Sequence, residues 1–309
     1  MEKSDKIKIN LVSGFKNLGN TCYISSILQS LVHTLPILKL VLKQEYNSFD
    51  INSTKEAFIT MNFFHILYQY TKEKCVIYPK TLISNIITYS KLFHKFRQED
   101  ANEFLMCLLD IFHKSLSENI KITVSSNNIS ENQESKYLEY WGYSVIYKIF
   151  YGNNSVKKEC DNCGKFSEEM VFYNQIIIPK EKTNTDTVYS FITNMYCKEI
   201  KTEKCIFCNN ITKKQIYNIP KKIPDTLIVL LNTTKKETNL REIDEVLKLK
   251  DTVYLLYSVV CHSGSSLNSG HYTNFSRVNN EWYHFNDDTV TKADTFNKDD
   301  SFILFYQRI

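Results

Sequence analysis

Gly14-Phe15-Lys16-Asn17-Leu18-Gly19-Asn20-Thr21-Cys22-Tyr23 runs directly into Ile24-Ser25-Ser26-Ile27-Leu28-Gln29-Ser30-Leu31-Val32. The first segment reads as a loop with two glycines. The second places Ile24, Ile27, Leu28, Leu31 and Val32 on one face at helical spacing. A cysteine at that junction sits on the first helical turn. Amide donors and the positive end of the helix dipole stabilise a thiolate there, and the thiolate is the form that attacks. Gly14 and Gly19 let the backbone come close to a substrate carbonyl. Asn17 can present its side-chain amide to a developing oxyanion. Taken singly, Cys22 is better read as buried filler and Asn17 as a turn residue, because free cysteines are usually small core residues.

Outward from this segment, Pro36 marks a break, and two further helical runs follow. Phe58 to Tyr70 carries Phe58, Met61, Phe64 and Leu67. Gln98 to Leu116 carries Phe104, Leu105, Leu108, Leu109 and Phe112. Residues 119–136 are polar and low in complexity, which predicts a mobile connection. Beyond them the pattern turns to strands. Tyr143–Phe150, Phe172–Ile178, Lys213–Ile219, Leu227–Leu231, Tyr254–Val260, His271–Val278, Glu281–Phe285 and Ser301–Gln307 are the candidates. Asn279-Asn280 is a hairpin turn between two of them. Helices first and strands later predict an α+β fold rather than a doubly wound sheet.

A cysteine nucleophile needs a distant histidine and a third side chain to fix the imidazole. Of seven histidines, His271 stands out in Gly270-His271-Tyr272, between the flexible run Ser263–Ser269 and a strand. Antiparallel pairing through Asn279-Asn280 returns Asn286 or Asp287 to its side, and either can accept a hydrogen bond from the ring. His262 is a weaker competitor. His33, His65, His94, His113 and His284 read as ordinary helix or strand residues.

Nine cysteines are present. Cys160-Asp161-Asn162-Cys163 and Cys205-Ile206-Phe207-Cys208 form two C-x-x-C knuckles, and two knuckles complete a tetrahedral thiolate site with no open position. The metal predicted is structural Zn2+, pinning a strand-rich subdomain, with no catalytic cofactor. Cys197 lies near enough to complicate the ligand set. Paired thiols without a disulfide framework predict a reducing compartment, cytoplasmic or nuclear.

The formal charge of +4 is too small to imply a polyanion partner, and only four of 38 basic residues are Arg, which argues against nucleic-acid reading. No stretch approaches the roughly 18 apolar residues that span a bilayer. The charged start Met1–Asn10 is not a secretory signal.

Together these residues resemble the ubiquitin-specific proteases, papain-like cysteine deubiquitinases. Gly14 to Tyr23 is similar to that family's Cys box. Gln98-Glu99-Asp100-Ala101-Asn102-Glu103-Phe104 resembles its glutamine/aspartate box, and the two knuckles its fingers. Val259 to Phe275 resembles the His box, Trp282 to Val290 the segment with the third residue, and Ser301 to Tyr306 the closing strand. The resemblance implies a single catalytic domain over 1–309 in a papain-like, right-hand architecture. A helical thumb would occupy about 14–118, mostly zinc-pinned fingers 137–231, and an antiparallel palm with the His box 232–309. It implies hydrolysis of the (iso)peptide bond after ubiquitin's last glycine. Cys22 would be the nucleophile, His271 the general base and acid, Asn286 (or Asp287) the orienting residue and Asn17 the oxyanion donor. Asp100 and Glu103 would pair with arginines of ubiquitin's tail, although for Glu103 a helix N-terminus enriched in acids explains the residue equally well. Gly270 and Tyr272 would line the tail channel. The implied partners are ubiquitin and ubiquitinated proteins, with no membrane and no nucleic acid, and the implied state is a monomer. The sequence departs from the family where Leu230-Leu231-Asn232-Thr233-Thr234-Lys235-Lys236 replaces its Lys-Arg-Phe-type segment, which affects the loops expected against the tail.

Overall fold

A computed structural model of the chain describes residues 11–48, 54–72, 74–94, 97–118, 129–179, 187–232, 242–266 and 269–309. The first helix, Cys22–Val32, is buried along its whole length. A single apolar face cannot account for that. The helix is a wedge between the other helices and a sheet, so its polar side chains must find partners inside. They do so across the wedge. Gln29 Nε2 donates to the Ser13 carbonyl at 2.8 Å, and Tyr70 OH donates to Gln29 Oε1 at 2.7 Å. Ser30 Oγ meets Ser258 Oγ at 2.9 Å, and Asn274 Nδ2 donates to both, at 2.9 Å each. The helix ends at His33, and the chain restarts as Leu35–Leu42 with Pro36 in its first turn, where a missing N–H costs nothing. Helices Lys55–Lys72, Lys80–Tyr89 and Ala101–Ser115 complete this helical thumb.

The palm is an eight-stranded sheet. From one edge its order is Thr289–Ala293, Glu281–Asn286, Ser269–Val278, Thr252–Ser266, Ser301–Arg308, Thr226–Asn232 and Ile176–Pro179, with Val246–Leu249 also paired to Thr252–Ser266. Every pair is antiparallel except the last, Ile176–Pro179 with Thr226–Asn232. One face, with Ile228, Val260, Ile303 and Phe305, packs on the thumb core. The other, with Val229, Val259, Leu304 and Tyr306, is covered by the Val188–Met195 helix through Val188 and Ile192. The Asn279-Asn280 turn has both residues at positive φ (52° and 67°), as a tight hairpin of matching twist requires. The fingers are a separate four-stranded antiparallel sheet in the order Phe166–Tyr173, Gly152–Cys160, Ile211–Lys222, Glu199–Lys204.

Three local expectations are corrected. Tyr143–Phe150 is not a strand. Only Tyr143–Ser144 pairs, with Ser117–Glu118, and Val145–Phe150 is helical. Ser144 Oγ caps that helix by accepting from Tyr147 N at 3.0 Å, and His113 Nδ1 holds the same hydroxyl at 2.6 Å. Ile146, Ile149 and Phe150 then bury on one side, so tertiary burial overrides the β-branched and aromatic composition. The connection expected over 119–136 includes part of a helix, Ile129–Trp141; residues 119–128 lie outside the described residues. Phe172–Ile178 divides at Asn174-Gln175 between fingers and palm. The 137–231 block therefore contributes Ile176–Pro179 and Thr226–Asn232 to the palm as well as building the fingers. Of the segment replacing the Lys-Arg-Phe type, residues 233–236 also lie outside the described residues.

Candidate active site

The nucleophile loop is fastened on both sides before the helix begins. Phe15 N donates to the Asp287 carbonyl at 2.9 Å, Lys16 N to the Ile77 carbonyl at 2.8 Å, and Ile77 N to the Gly14 carbonyl at 2.9 Å. At Gly14 a Cβ would lie 2.6 Å from Asp288 Cα and from its carbonyl oxygen, so only glycine allows this contact. Lys16 Nζ pairs with Asp288 Oδ2 at 2.5 Å, raising the lysine and lowering the carboxyl through that hydrogen bond. The consequence is that Cys22, the first residue of its helix, stands beside the turn that follows Glu281–Asn286.

His271 lies within hydrogen-bond reach of the Cys22 thiol. That bond is the first cause raising the imidazole to about 9, against an opposing loss from burial; Asn286 adds to the rise. His271 Nε2 meets Asn286 Oδ1 at 2.7 Å. The antiparallel register Asn274↔Phe285 is what returns Asn286 to the His271 end of the neighbouring strand. Asp287 is occupied differently. It has positive φ (51°), and its Oδ2 accepts from Asn17 Nδ2 at 2.9 Å. Asn17 Oδ1 accepts from Gly19 N at 2.9 Å and Thr21 N at 3.2 Å. The Asn17 amide is thus locked beside Cys22 with one N–H committed to Asp287 and one remaining. Of the two residues left open by the sequence, Asn286 touches the imidazole and Asp287 holds Asn17.

Of the other expected site residues, Asp100 and Glu103 stand at the start of the Ala101–Ser115 helix and Tyr272 on the Ser269–Val278 strand. Asp100 caps the Ala101–Ser115 helix, its Oδ1 accepting from Asn102 N at 2.6 Å and Glu103 N at 3.4 Å, and burial raises its carboxyl. Glu103 is exposed on the first turn. Tyr272 is buried against His262 and Phe302, with ring centroids 4.4 and 6.0 Å away. His262 is the cross-strand partner of Tyr272 in the same hairpin. His94, expected in a helix or strand, lies in the loop before Gln98. Gln98 is a contact that residue reading missed: it bonds both the N–H and the carbonyl of Gly270, at 2.9 and 2.6 Å. Its place in the Gln98–Phe104 segment was the available signal; no sequence signal marks Lys16–Asp288.

The two knuckles meet at the fingers' end. The Sγ atoms of Cys160, Cys163, Cys205 and Cys208 all lie within 4.8 Å of one another, with Cys160–Cys208 and Cys163–Cys205 at 3.9 Å. A tetrahedron with bonds of about 2.3 Å requires sulfur separations of about 3.8 Å, so the donor set fits one divalent metal. Backbone N–H groups of Cys208 and Phe207 lower Cys205 below the ordinary thiol range. Cys197 Sγ instead faces the Thr193 carbonyl and stands outside the group.

Comparisons with known proteins place the chain by family and by fold. The chain is 26% identical to ubiquitin carboxyl-terminal hydrolase 23 of Arabidopsis thaliana across 96% of its own length and 35% of the relative's. It is 26% identical to ubiquitin carboxyl-terminal hydrolase 17-like protein D of Mus musculus across 95% and 54%. It therefore spans between about a third and about half of these relatives. A chain of the SAGA Ubp8/Sgf11/Sus1/Sgf73 DUB module bound to ubiquitin aldehyde superposes with a TM-score of 0.71 at 18% identity, covering 100% of this chain and 72% of that one, which shows a shared fold. The sequence model described as ubiquitin carboxyl-terminal hydrolase matches residues 13–306, a span that carries every side chain placed above, and the chain belongs to that family.

Proposed function

We propose that the protein is a thiol-dependent deubiquitinase that hydrolyses the (iso)peptide bond after ubiquitin's C-terminal glycine. The observation that carries this is the alignment Cys22–His271–Asn286 at the head of a buried helix. The Cys22 thiolate attacks the glycine carbonyl, and the electron pair moves onto oxygen. The Cys22 amide and the free N–H of Asn17 receive that oxyanion. His271 delivers its proton to the leaving lysine amine, and the C–N bond breaks. A water, deprotonated by His271, then splits the thioester. Asn286 keeps the ring oriented but, being neutral, supports the imidazolium less than a carboxylate would. Cys22 is only 2% exposed, which suits a substrate whose reacting end has no side chains. Asp100 and Glu103 suit a tail carrying arginines, and Gly270 stands across the cleft beside Gln98, with Tyr272 buried next to it.

We also propose that the metal is Zn2+ and structural, since four thiolates leave no position for a substrate. We further propose that the protein acts as a monomer in the cytoplasm or nucleus, where such thiols stay reduced. The test is a panel of suicide probes made from ubiquitin and from other ubiquitin-like modifiers, with the adduct mapped. Labelling of Cys22 by the ubiquitin probe, lost in Cys22→Ala, is expected. Labelling by another modifier alone would overturn the substrate assignment, and an adduct elsewhere would overturn the mechanism.

A further inference from the structure

Gln98 makes a contact unlike its neighbours'. Its amide spans the cleft between thumb and palm and satisfies both backbone groups of one residue, Gly270, which directly precedes His271. Its own position is firm, because Asp100, two residues on, caps the Ala101–Ser115 helix. On the palm side, Gly270 is packed from the other direction. A Cβ there would lie 2.6 Å from His262 Nε2, 2.6 Å from the Ser263 carbonyl oxygen and 2.8 Å from Gly264 Cα. The hairpin needs such an anchor, because its ladder shifts register between Gly264 and Ser266, beside the Gly264↔Gly270 pair. Cys22 belongs to the thumb and His271 to the palm, so their separation depends on how these layers are held together at this point.

We propose that Gln98 is a positioning residue for the general base: by clasping Gly270 it fixes His271 at bonding distance from Cys22. This rests on the assignment of His271 under Proposed function. A misplacement of about 1 Å at a reacting pair can cost on the order of a hundredfold in rate. The clasp would therefore act on the chemical step more than on binding.

The experiment uses the full chain with Gln98→Leu and Gln98→Glu. Melting temperature, kcat and KM on a fluorogenic ubiquitin C-terminal amide, and the pH dependence of Cys22 alkylation by iodoacetamide are measured for each. Gln98→Leu is expected to lower kcat by about 10- to 100-fold with KM held within about threefold. Its alkylation profile is expected to depart from wild type, because Cys22 loses the imidazole held beside it. In Gln98→Glu the ionised carboxylate opposes the Gly270 carbonyl, whereas the protonated form again offers one donor and one acceptor. Its kcat relative to wild type is therefore expected to recover as pH falls toward the carboxyl range. An unchanged kcat and alkylation profile in Gln98→Leu would overturn the proposal. A rise in KM alone would reassign Gln98 to tail binding. Lost activity with a collapsed melting temperature, and no recovery of Gln98→Glu at low pH, would leave only a structural role. If wild type fails to react with ubiquitin probes, the proposed function fails instead; the alkylation profiles need no ubiquitin and still decide the role of Gln98.

Discussion

Removing the Asn286 side chain tests the catalytic geometry most directly. Asn286→Ala deletes the acceptor 2.7 Å from His271 Nε2 and leaves the strand pairing Asn286↔Thr289 to the backbone. A hydrogen bond to a charged group contributes about 1.5–3 kcal/mol. Asn286 is exposed, so solvent compensates part of the loss and the low end applies. About 1.5 kcal/mol corresponds to roughly tenfold in kcat/KM, since about 1.4 kcal/mol is one decade. The assay is hydrolysis of a ubiquitin C-terminal fluorogenic amide near neutral pH. Asn286→Asp supplies the opposite perturbation: an anionic acceptor should stabilise the imidazolium and carry the alkaline limb of the rate profile to higher pH. If Asn286→Ala stays within about twofold of wild type while Asp287→Ala loses activity by orders of magnitude, the orienting role of Asn286 is refuted on the same free-energy scale.

His271 is raised to about 9, so kcat/KM is expected to fall as pH rises through that value. The sign for stability is the same: a folded pKa above the unfolded value near 6.5 stabilises fully below about 6.5, and the effect is lost through about 9, which denaturant titrations across that window would detect. Stripping metal with a strong chelator is expected to lower the melting temperature of the fingers, whose four thiols converge within 4.8 Å; an unchanged melt after confirmed metal loss would refute the structural role. Asn274→Ala removes a donor from the hydroxyls of Ser30 and Ser258 and an acceptor from that of Ser276 in a fully buried site, and a loss of about 1–3 kcal/mol is expected from equilibrium urea unfolding.

Much of this protein could be read from residue order because the chemistry is local. The loop-to-helix junction at Cys22 depends on glycines and on an apolar face at helical spacing. The Asn279-Asn280 hairpin depends on two residues that tolerate positive φ, and it alone returns Asn286 toward His271. The knuckles carry their spacing with them, and the structure brings all four thiols to one point. Each of these is settled within a few residues, by backbone sterics or ligand geometry.

What the tertiary structure decided depends on partners far away in the chain. Tyr143–Phe150 has a strand's composition, and only the pocket that takes Ile146, Ile149 and Phe150, with His113 holding Ser144, makes it a helix. The separation of Asn286 from Asp287 was equally out of reach. Both sit at one strand end, and it is Asn17, 270 residues distant, that draws Asp287 away from the imidazole. The same holds for Gln98 and Gly270, joined across 172 residues. Sequence determined which side chains carry the chemistry, through local propensity and spacing. The packing of thumb against palm decided which of them touch, because an amide or a carboxylate takes whichever partner the fold sets within about 3 Å.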